Sequence, residues 1–241
     1  MEKFQELEPV ERLLVVVAHP DDVDFGSAGT IANWASAGTN IAYCIVTDGD
    51  AGGFEEHIDR TEIPAIRREE QRNAAKKVGV SEVTFLGYHD GELVADTGLR
   101  KDIVRQIRRF RPDRILCQCP ERNYQRIFAS HPDHLAAGEA TIQAAYPYAR
   151  NPFAYPELLA EGLEAHSVKD VVLQASPNPN AYVDITKFVD LKIAAILEHK
   201  SQLPDPVETA KMVKSWVSSS AELVGLDTGS FAELYQLVMT S

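Results

Sequence analysis

Two short stretches of this chain concentrate the side chains that do chemistry. The first, VVVAHPDDVDFGSAGT, follows a hydrophobic run and places His19, Asp21, Asp22 and Asp24 within six residues. Three carboxylates packed so closely repel one another, so the arrangement calls for a cation or a set of strong donors. A polar turn in which Asp caps a following helix needs only one acid and does not explain His19. The second stretch, SHPDHLAAGEA (130–140), holds His131 and His134 three residues apart with Asp133 between them. At a helix entry this spacing sets two imidazoles on adjacent faces of one turn. Two of the seven histidines fall within these four residues, a density that scattered surface or core histidines do not produce. Together the stretches offer imidazole nitrogen and carboxylate oxygen. That donor set suits zinc, with an open position for water, better than magnesium or calcium. Ligand type alone does not fix the metal, and iron, cobalt or manganese could fill the same site.

The elements that must position these residues can be read from periodicity. LLVVVA (13–18) is a continuous apolar run rich in β-branched residues, the pattern of a strand covered on both faces. IAYCIVT (41–47), VTFLG (83–87) and RILCQC (114–119) read as further strands. Between and after them, helical spacing covers 27–37, 64–78, 98–110 and 135–145, with Ser27 as a cap, Pro64 near a start, and Gly38 and Gly79 as stops. Alternation of this kind predicts an α/β, Rossmann-like doubly wound fold: a mainly parallel sheet with helices on both faces. No linker or repeat stands out, so one domain over 1–241 is expected. In an open parallel sheet ligands bind outside the carboxyl ends of the strands, and both reactive stretches follow strands. The second half is less regular. Residues 168–175 and 181–185 are expected as strands at a sheet edge, 187–200 as a helix, and the last forty residues as helical and amphipathic.

Composition narrows the function classes. Lys and Arg total 24 against 36 Asp and Glu, a formal charge of −12. Such a surface argues against nucleic acid, whose phosphates need clustered basic residues, and against docking on anionic lipid. The three cysteines, Cys44, Cys117 and Cys119, lie in strand-like contexts and form no CxxC pair, so they read as small core residues. The first twenty residues are acidic where a signal peptide is basic, and their apolar run of six is too short for a signal core or a membrane span. A cytoplasmic protein is expected.

AHPDD after a first strand, with HPDH downstream, resembles the PIG-L or LmbE-like family of metal-dependent N-acetylglucosaminyl deacetylases, which includes deacetylases and amidases of the mycothiol and bacillithiol pathways. The resemblance extends over residues 11 to 203 and takes in GSAGT, TDG at 47–49, RREE and AAKKVGV within 67–80, and HKSQ at 199–202. VDFG at 23–26 departs from the Glu-rich version of many members, but Asp24 preserves the charge. The resemblance implies one zinc ion per chain, with Fe2+ or another divalent ion as a substitute, held by His19, Asp22 and His134. It also implies that Asp21 is the general base, that His131 stabilises the oxyanion, and that Asp133 orients His131; the nearby negative charge of Asp133 is expected to raise the His131 pKa and keep it protonated. The reaction would be removal of an acetyl or acyl group from the nitrogen of an amino-sugar conjugate, by water that the metal activates.

Weaker candidates lie nearby. The resemblance suggests that Arg67 or Arg68 touches the substrate; a solvated helix face is the plainer reading. Asp48 and Asp90 each follow a strand and precede Gly, where a carboxylate can bind a sugar hydroxyl or serve a turn. Asn123 and Tyr124 could line the pocket. His199 is a weak site residue, and His57, His89 and His166 read as surface. Specificity is expected in loops 50–63, 120–130 and 146–166. The last carries Tyr146, Tyr148, Phe153 and Tyr155 among prolines, which suits a lid over a sugar or a contact with a second copy in a homo-oligomer. Two other readings compete. A phosphoesterase would use two metals and a basic residue. A non-catalytic Rossmann-like ligand-binding protein would need a GxGxxG turn, whereas the chain has HPDDVDFGSAG.

Overall fold

The structure is a computed structural model and describes residues 4–54 and 59–240. His57 therefore lies outside the described residues. In chain order the elements begin with β1 (Gln5–Glu6), β2 (Arg12–Val17), α1 (Asp22–Ser36), β3 (Asn40–Thr47) and α2 (Ile63–Lys77). Next come β4 (Glu82–Tyr88), α3 (Thr97–Phe110), β5 (Arg114–Gln118), α4 (Pro132–Gln143) and α5 (Pro156–Ala160). The chain continues through β6 (Asp170–Gln174), β7 (Ala181–Asp184), α6 (Val189–Ile196), α7 (Pro206–Val224) and β8 (Ala232–Met239).

Among the described residues eight strands form one sheet in the order β1-β7-β8-β6-β5-β2-β3-β4. β4, β3, β2, β5 and β6 are mutually parallel, and β8 runs antiparallel between β6 and β7. The expected mainly parallel α/β sheet is therefore present. Alternation along β2 shows why both faces must be covered. Leu13, Val15 and Val17 enter one buried cluster with Ile31 and Trp34 of α1, Ala74 of α2 and Val217 of α7. Leu14 and Val16 enter the other, with Leu99, Ile103 and Ile107 of α3 and Ala137 and Ala140 of α4. The three cysteines are buried in this second cluster, and burial pushes the Cys44 thiol up to about 12.

β2 is the switch point of the winding. It pairs with β3 on one side and β5 on the other, and the chain leaves β2 toward β3 but leaves β5 toward β6, so the two connections diverge and open a crevice at the carboxyl ends of β2 and β5.

Four expectations are corrected. Helix α1 starts at Asp22, not Ser27, because the charged first turn carries no apolar period yet places Asp22 and Asp24 at the positive end of the helix dipole. Helix α4 likewise starts at Pro132, directly after His131. The C-terminal region is α7 followed by a strand, not helix throughout: β8 inserts between β6 and β7, which puts β6 in the interior and leaves β1 as the edge. Finally, residues 146–166 are no lid. They follow the far end of α4, about 18 Å along its axis from His131, and His166 Nε2 donates to Pro112 O just before β5 begins. That is the amino end of the sheet, opposite the crevice.

Candidate functional site

Both reactive stretches meet at the carboxyl end of β2. The Ala18 N–H donates to Gln118 Oε1 (2.9 Å), tying the exit of β2 to the end of β5. Helix α4 lies against the same strand end. A Cβ on Gly138 would come within 2.3 Å of Gln118 O, so only glycine lets the helix approach closely enough to bring its first turn to the crevice.

Three donor groups converge there. His19 Nδ1 is 3.2 Å from His134 Nε2 and 3.2 Å from Asp22 Oδ2, and His134 Nε2 is 3.0 Å from Asp22 Oδ1. Four ligands at about 2.0–2.1 Å around a tetrahedral zinc are about 3.3 Å apart, so the spacing fits three corners of such a site. The remaining ring nitrogens are held as ligating imidazoles usually are. His134 Nδ1 faces Ala129 O (3.4 Å), and His19 Nε2 faces Asp133 Oδ2 (3.2 Å) and Asp90 Oδ1 (3.1 Å). Burial alone would lower the His19 pKa, yet the charge of Asp22 and hydrogen bonds to Asp133, Asp22 and Asp90 raise it to about 12. A field that favours a proton so strongly favours a cation at the same place. On the carboxylate side, burial disfavours the charge on Asp22, and the neighbouring His134 and His19 overcome it and hold Asp22 well below the usual range. The residues present fit a divalent metal. Other potential donor groupings in the crevice, His19 with His131 and His134 and His19 with Asp90 and Asp133, share His19 with this triplet.

Asp21 points elsewhere. It sits before α1 in the left-handed region (φ 96°), and Arg67 Nη2 donates to its Oδ2 at 3.1 Å. Burial raises its pKa and the Arg67 charge only partly offsets this, which moves a carboxylate toward the range useful to a general base. His131 stands beside the triplet, its ring 4.9 Å from that of His19.

The expected pairing of the Asp133 carboxylate with His131 is not what the structure shows. Asp133 is fully buried, and its oxygens accept from Gly91 N (2.7 Å), Leu93 N (3.2 Å) and His19. Only its backbone N–H meets His131, donating to Nδ1 at 3.2 Å. Burial, followed by the charges of His19 and His134, lowers the His131 pKa despite Asp133. With Nδ1 accepting, a neutral ring carries its proton on Nε2 and remains a donor.

The candidate substrate residues separate. Asp90 is brought against His19. Arg67 is 3% exposed, and its N–H groups face Pro20 O (2.6 Å), Gly49 O (2.9 Å) and Asp21, so it braces the wall of the site. Gly49 has φ 62°, and any Cβ there would strike Arg67. Arg68 pairs with Asp48 at 2.6 Å on the partly exposed face of α2. Tyr124 is 83% exposed and lines no part of the groove that opens onto Asp22 and His134, whereas its neighbours Asn123 and Gln125 do. His89 is an exposed partner of Asp50, as expected for a surface histidine, whereas His166 is half-buried.

Sequence reasoning missed two features. A groove of about 560 Å³ opens onto Asp22 and His134 and is walled by Phe128, Met212, Trp216 and Leu223. Helix α7 supplies three of these, so the groove depends on a helix whose placement no motif announces. The second is a buried polar cluster of Asp24, Gln71 and His199 beneath Asp21. Asp24 in the first stretch and His199 in HKSQ were its visible signals.

The sequence profile of PIG-L, described as GlcNAc-PI de-N-acetylase, matches residues 14–145. The diacetylchitobiose deacetylase of Thermococcus kodakarensis is 33% identical over 198 residues, covering 82% of this chain and 72% of that enzyme. A probable N-acetyl-alpha-D-glucosaminyl L-malate deacetylase 2 of Bacillus cereus is 29% identical over 197 residues, covering 79% and 83%. Among solved structures, the N,N'-diacetylchitobiose deacetylase of Pyrococcus horikoshii, complexed with its inhibitor MPG, superposes with a TM-score of 0.87 at 30% identity, covering 95% of this chain and 84% of that one.

Proposed function

Because the chain belongs to the PIG-L family of GlcNAc-PI de-N-acetylases, we propose that it is a hydrolase that removes the acetyl group from the nitrogen of an N-acetylated amino-sugar conjugate, using one divalent cation, preferentially zinc. The observation that carries this reading is the convergence of His19 Nδ1, Asp22 and His134 Nε2 at 3.0–3.2 Å, with Asp21 and His131 beside them. When bound by His19, Asp22 and His134, such a cation supplies Lewis acidity that activates water and polarises an acyl oxygen.

The chain's own side chains divide the rest of the work. Asp22 is committed to the cation, while Asp21, turned aside by its left-handed backbone and held by Arg67, takes the proton of the attacking water. His131 donates from Nε2 to the oxygen that becomes anionic as the carbonyl carbon is attacked, and it can do so as a neutral ring. Asp133 and Asp90 fix the His19 ring from behind. The proton on Asp21 then passes to the amine nitrogen as the C–N bond breaks, leaving acetate and a free amine. Arg68, paired with Asp48 on the partly exposed face of α2, is a candidate for a sugar hydroxyl, and so is the second oxygen of Asp90. The groove along α7 would take whatever is joined to the sugar, and its aromatic walls suit an apolar ring face.

The test is a panel of acetylated amino sugars and their conjugates, with metal-loaded protein and free amine and acetate as paired readouts. Equal release of both products from at least one glycoside, slowed at least about 10²-fold in Asp21→Asn, is expected. Absence of amine release across the panel, or release in Asp21→Asn within about tenfold of wild type, would overturn the reading.

A further inference from the structure

Asp21 is held in a conformation that its own side chain does not favour. At φ 96° a residue with a Cβ rarely rests, and the Asp21 side chain makes no capping bond to α1. Its carbonyl starts the helix, accepting from Asp24 N (2.9 Å) and Phe25 N (3.0 Å). Its N–H instead leaves α1 and donates to Gln71 Oε1 of α2 at 2.8 Å.

The direction of the Gln71 amide is itself determined. Gln71 Nε2 donates to Asp24 Oδ2 (2.8 Å), and the same oxygen accepts from His199 Nε2 (2.7 Å). Gln71, Asp24 and His199 are all 0% exposed. The Asp21 backbone N–H can only donate, so the amide turns its oxygen toward Asp21 and its NH2 toward Asp24. Arg67 lies four residues before Gln71, on the same face of α2, and donates to Pro20 O and to the Asp21 carboxylate. One stripe of one helix therefore grips the left-handed turn twice, by its main chain and by its side chain.

We propose that Gln71, oriented by the buried Asp24–His199 pair, is a positioning residue that holds Asp21 in its left-handed turn and so aims the base at the water. The proposal rests on the reading of Asp21 as the base, and its test separates the two. In Gln71→Met, which keeps the length of the side chain but removes both hydrogen bonds, kcat should fall roughly tenfold to a hundredfold, the loss associated with a misplacement of about 1 Å. KM and the bound metal equivalent should be unchanged. In the Asp21→Asn background the same substitution should cost nothing further, because groups acting as a unit are not additive. Asp24→Asn preserves volume but not the acceptor-only oxygen, and should show a smaller loss in kcat alone. Independently of activity, hydrogen exchange at the Asp21 amide, followed by NMR, should accelerate in Gln71→Met. Unchanged exchange there overturns the proposal even if no substrate has been found. A kcat within twofold of wild type in both variants, or an equal further loss in the Asp21→Asn background, also overturns it. A wild-type protein without deacetylase activity overturns the functional reading and leaves the exchange result to decide the role of Gln71.

Discussion

Replacing Asp133 with Asn discriminates between two assignments of one carboxylate. The sequence places Asp133 beside His131, but the folded chain directs its oxygens to His19 Nε2, Gly91 N and Leu93 N. Oδ2 receives Gly91 and His19, and Oδ1 receives Leu93. An asparagine keeps one acceptor oxygen and replaces the other with an NH2, so in either orientation at least one backbone N–H faces another donor. A buried group left unsatisfied costs about 1–3 kcal/mol of stability. The larger functional consequence follows from the lost charge behind His19. Removing a partner that orients a ligating imidazole weakens metal binding by about 10–100-fold, equivalent to about 1.4–2.7 kcal/mol. The assay is competition for zinc against a chelator of known affinity, run beside thermal unfolding of the metal-free protein. Weaker zinc binding with a modestly less stable fold is expected, and turnover at saturating zinc should recover much of its loss. Zinc affinity within twofold of wild type, accompanied by a collapse in turnover that zinc does not restore, would refute the reasoning and return Asp133 to His131.

Four further outcomes are expected. Asp21→Asn should retain a full metal equivalent while losing roughly 10²–10⁴-fold in turnover, the usual range for an acid–base group; loss of metal would make Asp21 a ligand. Lys192→Met removes the 2.7 Å partner of buried Glu233, and breaking such a pair costs about 3–5 kcal/mol, a fall in melting temperature on the order of 10 °C for a chain of this size; adding Glu233→Gln should restore part of it, and a single-variant loss below about 1 kcal/mol would show that the three donors left on Glu233 suffice. His166 is depressed by burial below its usual value, so its contribution to stability is present above that value and is lost as pH falls through the folded one. The denaturation midpoint should accordingly drop between pH 8 and pH 5 by more in wild type than in His166→Gln, and parallel profiles would exclude the histidine. Trp216→Ala should raise KM for amino sugars bearing a bulky substituent and leave the unsubstituted sugar unaffected, since Trp216 walls the groove and not the crevice; equal effects on both would remove the groove from substrate recognition.

The chain's own pattern determined a great deal. An apolar run with no polar face, as at 13–18, can only be satisfied between two layers, so the alternation of such runs with helical spacing leads to the parallel α/β sheet. Polar residues packed at a strand exit lead to the crevice, because ligands of an open parallel sheet bind outside the carboxyl ends of its strands. The stretches around His19 and His131 are legible for that reason, whereas the division of their residues into ligands and base came from the family resemblance. Elements whose sequence pattern is diluted were harder to read: the charged first turn of α1, and β8, whose eight residues mix polar and apolar side chains and pair with β6 on one side and β7 on the other. What the sequence could not determine is which atoms meet when neighbours along the chain point apart. Asp133 lies two positions from His131 but serves His19, because the first turn of α4 carries its side chain inward against Gly91 and Leu93. His199 and Gln71, far apart in sequence and without any spacing signal, converge on Asp24 because α1, α2 and the chain after α6 enclose one small volume. Local spacing dictates which residues share a turn; only close packing of distant elements determines which of their hydrogen bonds are made.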